Sequence, residues 1–319
     1  MMNETKLIGT FFKPRQKAIA KYATQAEAIQ DKVLRQLLHR AEGTEWGLKH
    51  DYRSIKGYQD FQARVPVQTY EEIKEYVDRM RHGEKNVLWP GEVVWYAKSS
   101  GTTNDKSKFI PVSKEGLQTV HYAGGRDAVA LYLQQNPASR VFSGRTLILG
   151  GSHAPNYNLK NSLVGDLSAI LIENINPLVN LIRVPEKKIA LLSDFEEKME
   201  KIARSAMDKD VTNISGVPSW MLAVIKRVME LKGTDNLADV WPNLEIFFHG
   251  GVAFTPYREQ YKQLIRSSKM HYMETYNASE GFFGLQNDPA DPAMMLMLDY
   301  GVFYEFIPLE EVGKPNPNI

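Results

Sequence analysis

The stretch Tyr96–Val112 reads Y-A-K-S-S-G-T-T-N-D-K-S-K-F-I-P-V and joins two apolar runs through a loop of small, hydroxyl-bearing residues. Upstream, Glu92–Ala97 holds Val93, Val94, Trp95 and Tyr96, β-branched and aromatic side chains that suit a buried strand, and Lys108–Val112 resumes the same chemistry. Between them Ser99, Ser100, Thr102 and Thr103 supply hydroxyl donors, and Gly101 lets the main chain approach a ligand with successive N–H groups pointed at it. Lys106 and Lys108 add positive charge. A triphosphate needs this combination of many short donors, little side-chain bulk and a few cations. Ser, Thr, Gly, Asn and Asp also favour ordinary hairpin turns, so a plain hairpin loop stands beside the phosphate site as a reading. A P-loop is excluded, because G-x-x-x-x-G-K-[ST] needs a second glycine and none separates Gly101 from Lys106.

Composition bounds the partners. The 319 residues are 43% hydrophobic and 24% charged, ordinary usage for a soluble chain with a large core and a length that suits roughly two domains. A formal net charge of +1 gives no basic patch or acidic tail to favour nucleic acid or a membrane surface, which points to small-molecule partners. The chain has no cysteine, so disulfides, thiolate chemistry and cysteine-ligated zinc are excluded, and a cytoplasmic setting is expected. The N-terminal apolar run is broken by charge too early for a secretory signal, and no segment approaches the ~20 apolar residues of a bilayer span.

Along the chain, apolar positions at helical spacing predict a packing helix over Gln16–Arg40, and Thr69 is placed to cap a second one running to Arg81. Residues 1–90 therefore read as a helical segment packing on a core. Past the loop, Ser113 begins a helix through Gln134 that Gly124-Gly125 interrupts, at a cost of about 1–2 kcal/mol relative to alanine, so a ligand or a neighbouring element should approach there. Arg145–Gly150 predicts a strand. Ser193 and Glu196 have capping-box spacing ahead of an amphipathic helix, and Asp210–Ile214 predicts a strand that turns at Ser215–Pro218 into another helix. Leu244–Phe248 and Met270–Thr275 predict two more strands, with a helix between them from Thr255 as N-cap and Pro256 as first residue. Met294–Leu298 and Val302–Pro308 predict a final pair. Strands alternating with helices over 91–308 argue for an α/β core with a largely parallel sheet, whose ligands gather at the carboxyl ends of the strands.

Three loops follow predicted strands in this way: Ser99–Lys108, His249–Ala253 and Tyr276–Gly281. Gly250 and Gly251 would let a flat base lie on bare main chain, although a Gly-Gly after a strand also makes a simple turn. The Tyr276 ring can stack on a base, the Ser279 hydroxyl can reach phosphate, and Glu280 offers a hard oxygen to Mg²⁺. A core tyrosine and a solvated glutamate are the plainer readings of the same residues. Together the loops resemble the adenylate-forming superfamily, with Asn104 and Asp105 standing where the usual S-S-G-T-[TS]-G-x-x-K pattern has glycine. The chain resembles more closely the acyl-acid amido synthetases named after the plant auxin-responsive promoter proteins. The resemblance rests on S-S-G-T-T-N-D-K-S-K-F-I-P (Ser99–Pro111), G-G-V-A (Gly250–Ala253), Y-N-A-S-E-G-F-F-G (Tyr276–Gly284) and Y-G-V-F-Y-E-F-I-P (Tyr300–Pro308).

That resemblance implies a large N-terminal α/β domain of the adenylate-forming kind. It also implies an ATP- and Mg²⁺-dependent reaction in which a carboxylate attacks the α-phosphorus of ATP and the resulting acyl-adenylate passes its acyl group to an amino acid. Carried over by position, Ser99, Ser100, Gly101, Thr102, Thr103 and Lys108 contact phosphates, Gly250, Gly251, Val252 and Tyr276 the adenosine, Ser279 a phosphate, and Glu280 the Mg²⁺. The acyl pocket is expected near Tyr122, Arg126 and Trp220. Family members continue into a Tyr-Arg-x-Gly-Asp motif and a mobile C-terminal domain, so residues 309–319 read as a connection toward a partner domain of the same parent protein. An acyl-CoA ligase and a non-catalytic nucleotide-binding module are the alternatives.

Overall fold

Short β-branched and aromatic runs between amphipathic helices build two sheets in the structure, a computed structural model that describes residues 4–99 and 107–314. The strands are β1 (Trp95–Ser99), β2 (Lys108–Val112), β3 (Arg145–Ile148), β4 (Leu163–Gly165), β5 (Arg183–Val184), β6 (Val211–Gly216), β7 (Ile246–Gly250), β8 (His271–Ala278), β9 (Gly281–Leu285) and β10 (Met295–Leu296). The smaller sheet has the order β2-β1-β4, with β1 antiparallel to β2 and parallel to β4. The larger runs β10-β9-β8-β7-β6-β3-β5. From β5 to β8 its neighbours are parallel, and β9 and β10 join antiparallel. The fold is thus the expected mixed α/β arrangement.

Both faces of the large sheet are covered, and the alternation along β7 places its side chains accordingly. Phe247 packs among Ile202 and Ala206 of the helix Phe195–Ala206 and Met221, Ile225 and Val228 of the helix Pro218–Lys232. Ile246 and Phe248 face the other way, onto Ala128, Leu131 and Tyr132 of the helix Tyr122–Gln135. Each such large apolar side chain stabilises the fold by about 1.5–3 kcal/mol when buried.

The predicted helix over Gln16–Arg40 is two helices, Glu4–Ala20 and Tyr22–Ala41, with Gln25 out of helical geometry at φ −131°. The first lies along Tyr122–Gln135, where Gln16 Nε2 donates to Ala130 O at 2.7 Å. Thr69 caps Tyr70–Arg81 with a reciprocal capping box to Glu72. Ser113 caps as expected, its Oγ accepting from Gly116 N, but the helix then passes through a π turn at Leu117–His121 before Tyr122–Gln135. Gly124 is explained by a neighbour: a Cβ there would lie 2.3 Å from the ring of Phe282 on β9.

Two predicted helix starts move, and one predicted strand does not form. The helix Phe195–Ala206 is capped by Asp194, whose carboxylate accepts from Glu197 N at 2.7 Å, and not by Ser193. The next helix starts at Arg258, because Phe254 is buried against His249 and its carbonyl turns the chain through Tyr257 before helical bonding begins. Val302–Pro308 forms no strand, since Tyr304 N donates at 2.8 Å to Gln30 Oε1 of the helix Tyr22–Ala41 in place of a ladder partner. No helix among the described residues is long and apolar enough to cross a membrane.

Candidate active site

Strands β6, β7 and β8 are parallel, so their carboxyl ends at Gly216, Gly250 and Ala278 lie on one edge, where a cleft of about 1520 Å³ opens. A site for one small molecule usually occupies about 300–1,000 Å³, so this cleft has room for two substrates side by side. Described residues from each of the three predicted segments line it from separate parts of the chain. Ser99 reaches it from the end of β1, Gly250, Gly251 and Val252 from the end of β7, and Tyr276, Ser279 and Glu280 from the β8–β9 hairpin. Ser100, Gly101, Thr102, Thr103 and Lys106 lie outside the described residues. Their flanks are described: β1 and β2 pair antiparallel with Ser99 opposite Lys108.

Lys108 is not brought to the cleft. Its ammonium sits 5.7 Å from the centre of the Tyr70 ring. Lys98, one residue before Ser99, does line the cleft, with its ammonium 4.3 Å over the Tyr157 ring.

The β7 loop is built for contact with a flat ligand. Gly250 lies flush on β8, where a Cβ would come 2.3 Å from Thr275 O, and Gly251 turns at φ +83°, an angle that glycine adopts without strain. Behind it His249 is buried and stacked on Phe254 at 3.9 Å between ring centres, with neither ring nitrogen bonded to any described residue. Burial, assisted by the Arg258 charge, pushes its pKa down to about 3, so His249 is a neutral packing ring at physiological pH. Tyr276 is 56% exposed on the cleft wall with Phe283 behind it, ring centres 5.2 Å apart, which leaves its outer face open for stacking. Ser279 and Glu280 form the tight turn into β9, and Glu280 is exposed at the rim. No group of three or more potential metal-binding side chains occurs among the described residues. A single rim carboxylate suits Mg²⁺, which binds through one or two carboxylates together with substrate phosphates.

Tyr122, Arg126 and Trp220 all line the cleft. The Tyr122 hydroxyl donates to Leu171 O at 2.8 Å, and burial raises its pKa to about 12, so it is a neutral wall residue already satisfied. Arg126 is more than half exposed and touches Asp127 only at 3.4 Å, which leaves its guanidinium facing the opening. Trp220 stands in the first turn of Pro218–Lys232 with Phe195 against it. The motifs gave no sign of His121, which also lines the cleft: it is buried and its Nδ1 lies 3.0 Å from Asn277 Oδ1. The pair joins two segments 156 residues apart through a π turn, and helical periodicity carries no trace of such a turn.

Known proteins resemble this chain in sequence and in fold. The family model described as the GH3 family N-terminal domain matches residues 15–270. The indole-3-acetic acid-amido synthetase GH3.17 of Arabidopsis thaliana is 33% identical over 104 residues, 32% of this chain and 17% of that protein. The indole-3-acetic acid-amido synthetase GH3.15 of the same plant is 35% identical over 96 residues, 30% of this chain and 16% of that protein. The solved structure of AtGH3.15 acyl acid amido synthetase in complex with 2,4-DB superposes with a TM-score of 0.74 at 18% identity, covering 91% of this chain and 60% of that one. The chain thus spans about 60% of the length of the solved relative, with the same fold. On the match of residues 15–270, the chain belongs to the GH3 family.

Proposed function

We propose that this chain is the nucleotide- and acyl-binding part of an ATP-dependent acyl-acid amido synthetase, which joins a carboxylic acid to an amino acid through an acyl-adenylate. The observation that carries the reading is the meeting of Ser99, Gly250–Val252 and Tyr276–Glu280 in one cleft at the carboxyl ends of parallel strands. Family membership supports it, since the relatives are described as amido synthetases.

In this reading the adenine ring lies on Gly250 and Gly251 against Tyr276. Ser99 and the loop that follows it hold the phosphates together with Ser279. Glu280 would hold Mg²⁺ jointly with phosphate oxygens, and the ion when bound offsets the charge that builds as one anion approaches another. The acid enters between Tyr122, Arg126 and Trp220, with the Arg126 guanidinium matched to its carboxylate. The site contributes chiefly by holding carboxylate oxygen and α-phosphorus in line. Lys108 receives no role, given its position over Tyr70.

Isotope exchange between labelled pyrophosphate and ATP, measured on the full-length protein over a panel of carboxylic acids, tests the reading. Exchange that depends on one acid is expected, followed by an amide when amino acids are supplied. A thioester formed with coenzyme A and no amide would reassign the second step, and no exchange with any acid would overturn the reading.

A further inference from the structure

Two local irregularities meet at the floor of the cleft. The helix after β2 opens into a π turn at Leu117–His121, and the β8–β9 ladder shifts register between Tyr276 and Asn277, which pair with Gly284 and Phe282 and so skip Phe283. π turns and β-bulges both re-aim side chains and concentrate at functional sites. Here they aim His121 and Asn277 at each other, Nδ1 to Oδ1 at 3.0 Å.

The bond fixes the ring's chemistry. An amide oxygen only accepts, so His121 Nδ1 carries the proton and Nε2 presents a lone pair. His121 is 7% exposed, lines the cleft, and has no hydrogen-bond partner for Nε2 among the described residues. Burial lowers its pKa, partly opposed by the Asn277 bond, so the ring is neutral at neutral pH.

Position along β8 separates this nitrogen from the nucleotide groups. Asn277 shares a face of the strand with Met273, which packs in the core beneath the helix Tyr122–Gln135. Glu274 and Tyr276 lie on the opposite face, where the Arg258 charge acts on Glu274. His121 therefore stands beside Tyr122 and Arg126, on the side assigned to the acid. Among the other titratable groups that line the cleft, Asp166 accepts from Ser152 N, Lys98 lies over Tyr157, and the His249 ring is stacked on Phe254.

We propose that His121 Nε2 is the general base of the amide-forming step, a role that rests on the activity proposed above. The acceptor's nitrogen bonds to the acyl carbon, the carbon–oxygen bond to the adenylate phosphate breaks with its electron pair leaving on AMP, and the proton shed by the nitrogen passes to Nε2. Asn277 is a positioning residue that holds the ring in the accepting tautomer.

The test separates the half-reactions in the full-length protein, using the acid that supports pyrophosphate exchange, the twenty common amino acids as acceptors, and hydroxylamine as a nucleophile that is already uncharged near neutral pH. His121→Gln should leave pyrophosphate exchange within about threefold of wild type and lower amide formation by about 100-fold or more, the usual scale for a lost general base. Hydroxamate formation should fall much less. Asn277→Ala should show the same selectivity with a smaller loss. Intact exchange in His121→Gln reports a folded, loaded site. Amide formation within threefold of wild type in that variant overturns this proposal alone, as does a parallel loss of exchange and amide. Absence of exchange in the wild type overturns the activity itself and this proposal with it.

Discussion

Gly251 and Glu280 illustrate how much of the proposed chemistry hangs on single residues. At φ +83° with Val217 Cγ2 3.3 Å from where a Cβ would stand, Gly251 accepts a side chain only with backbone strain. Gly251→Ala should destabilise the protein by about 1–2 kcal/mol in urea unfolding, the cost of a left-handed angle for an L-residue. It should also raise the KM for ATP, and unchanged values of both would remove this turn from the adenine wall. Glu280 makes the opposite case, because it is exposed and the fold does not need it. Glu280→Ala should leave the unfolding midpoint unchanged and lower acid-dependent pyrophosphate exchange by ~100-fold, as expected when a group that stabilises developing charge is lost. An equal rate in the variant would place the metal elsewhere. Both residues were legible in the sequence, since a glycine pair after a strand and an aromatic-x-x-Ser-Glu run are local patterns. His121 and Asn277 were not, because what distinguishes them is a long-range contact created by two irregularities, and neither has a compositional signature.

At the level of elements, the alternation of strands and helices followed from apolar runs separated by amphipathic stretches, and seven of the eight predicted strands occur within a few residues of their expected bounds. What failed to read was competition between local and distant partners. Ser193 has good capping chemistry, but Asp194 is one residue nearer the first helical turn and takes the role. Val302–Pro308 alternates like a strand, yet Gln30 from a distant helix claims the amide of Tyr304. Gly124 was legible only as a place of close approach, and the neighbour proves to be β9: the helix Tyr122–Gln135 can lie on the sheet because Phe282 fills the space of a missing Cβ. This packing ties the helix that carries Tyr122 and Arg126 to the hairpin that carries Tyr276 and Glu280. Gly124→Ala should therefore cost about 1–3 kcal/mol in chemical denaturation, the range for overpacking a filled core. Combining it with Phe282→Leu should give a non-additive result, with an interaction of 0.5 kcal/mol or more in the range seen for residues in contact. Additive effects would show that the ring moves aside and that the helix is not seated on it.

Across the whole molecule, the two N-terminal helices are fastened to the far end of the large sheet through one polar network. Arg15 bonds both Asp127, whose side chain is fully buried on the helix Tyr122–Gln135, and Asp299, just beyond β10. Tyr22 also donates to Asp299, and the Tyr300 hydroxyl donates to Asp127 at 2.7 Å. Removing the cation leaves the buried Asp127 carboxylate with only the long 3.4 Å contact to the exposed Arg126 as a charge partner, so Arg15→Met should destabilise the protein by about 3 kcal/mol, the lower end for a broken buried pair. The pH dependence has a definite sign. Burial by itself pushes the Asp299 carboxyl up, and the hydrogen bonds from Arg15 and Tyr22 with the Arg15 charge more than reverse it, leaving the folded value below the ordinary one. A carboxyl lowered in the folded state contributes stability that is present above its unfolded pKa, about 3.9, and is lost as pH falls through the lower folded value. Wild type should accordingly melt higher than Asp299→Asn at pH 6–7, and the gap should hold down to about pH 4 and then close on further acidification. Thermal unfolding of both proteins from pH 7 to pH 2.5 reads this directly. A gap that persists at the acid end, or that widens there, would mean that the charge on Asp299 does not fasten the helices and that packing alone, through the contact of Gln16 with Ala130 and its neighbours, holds them against the sheet.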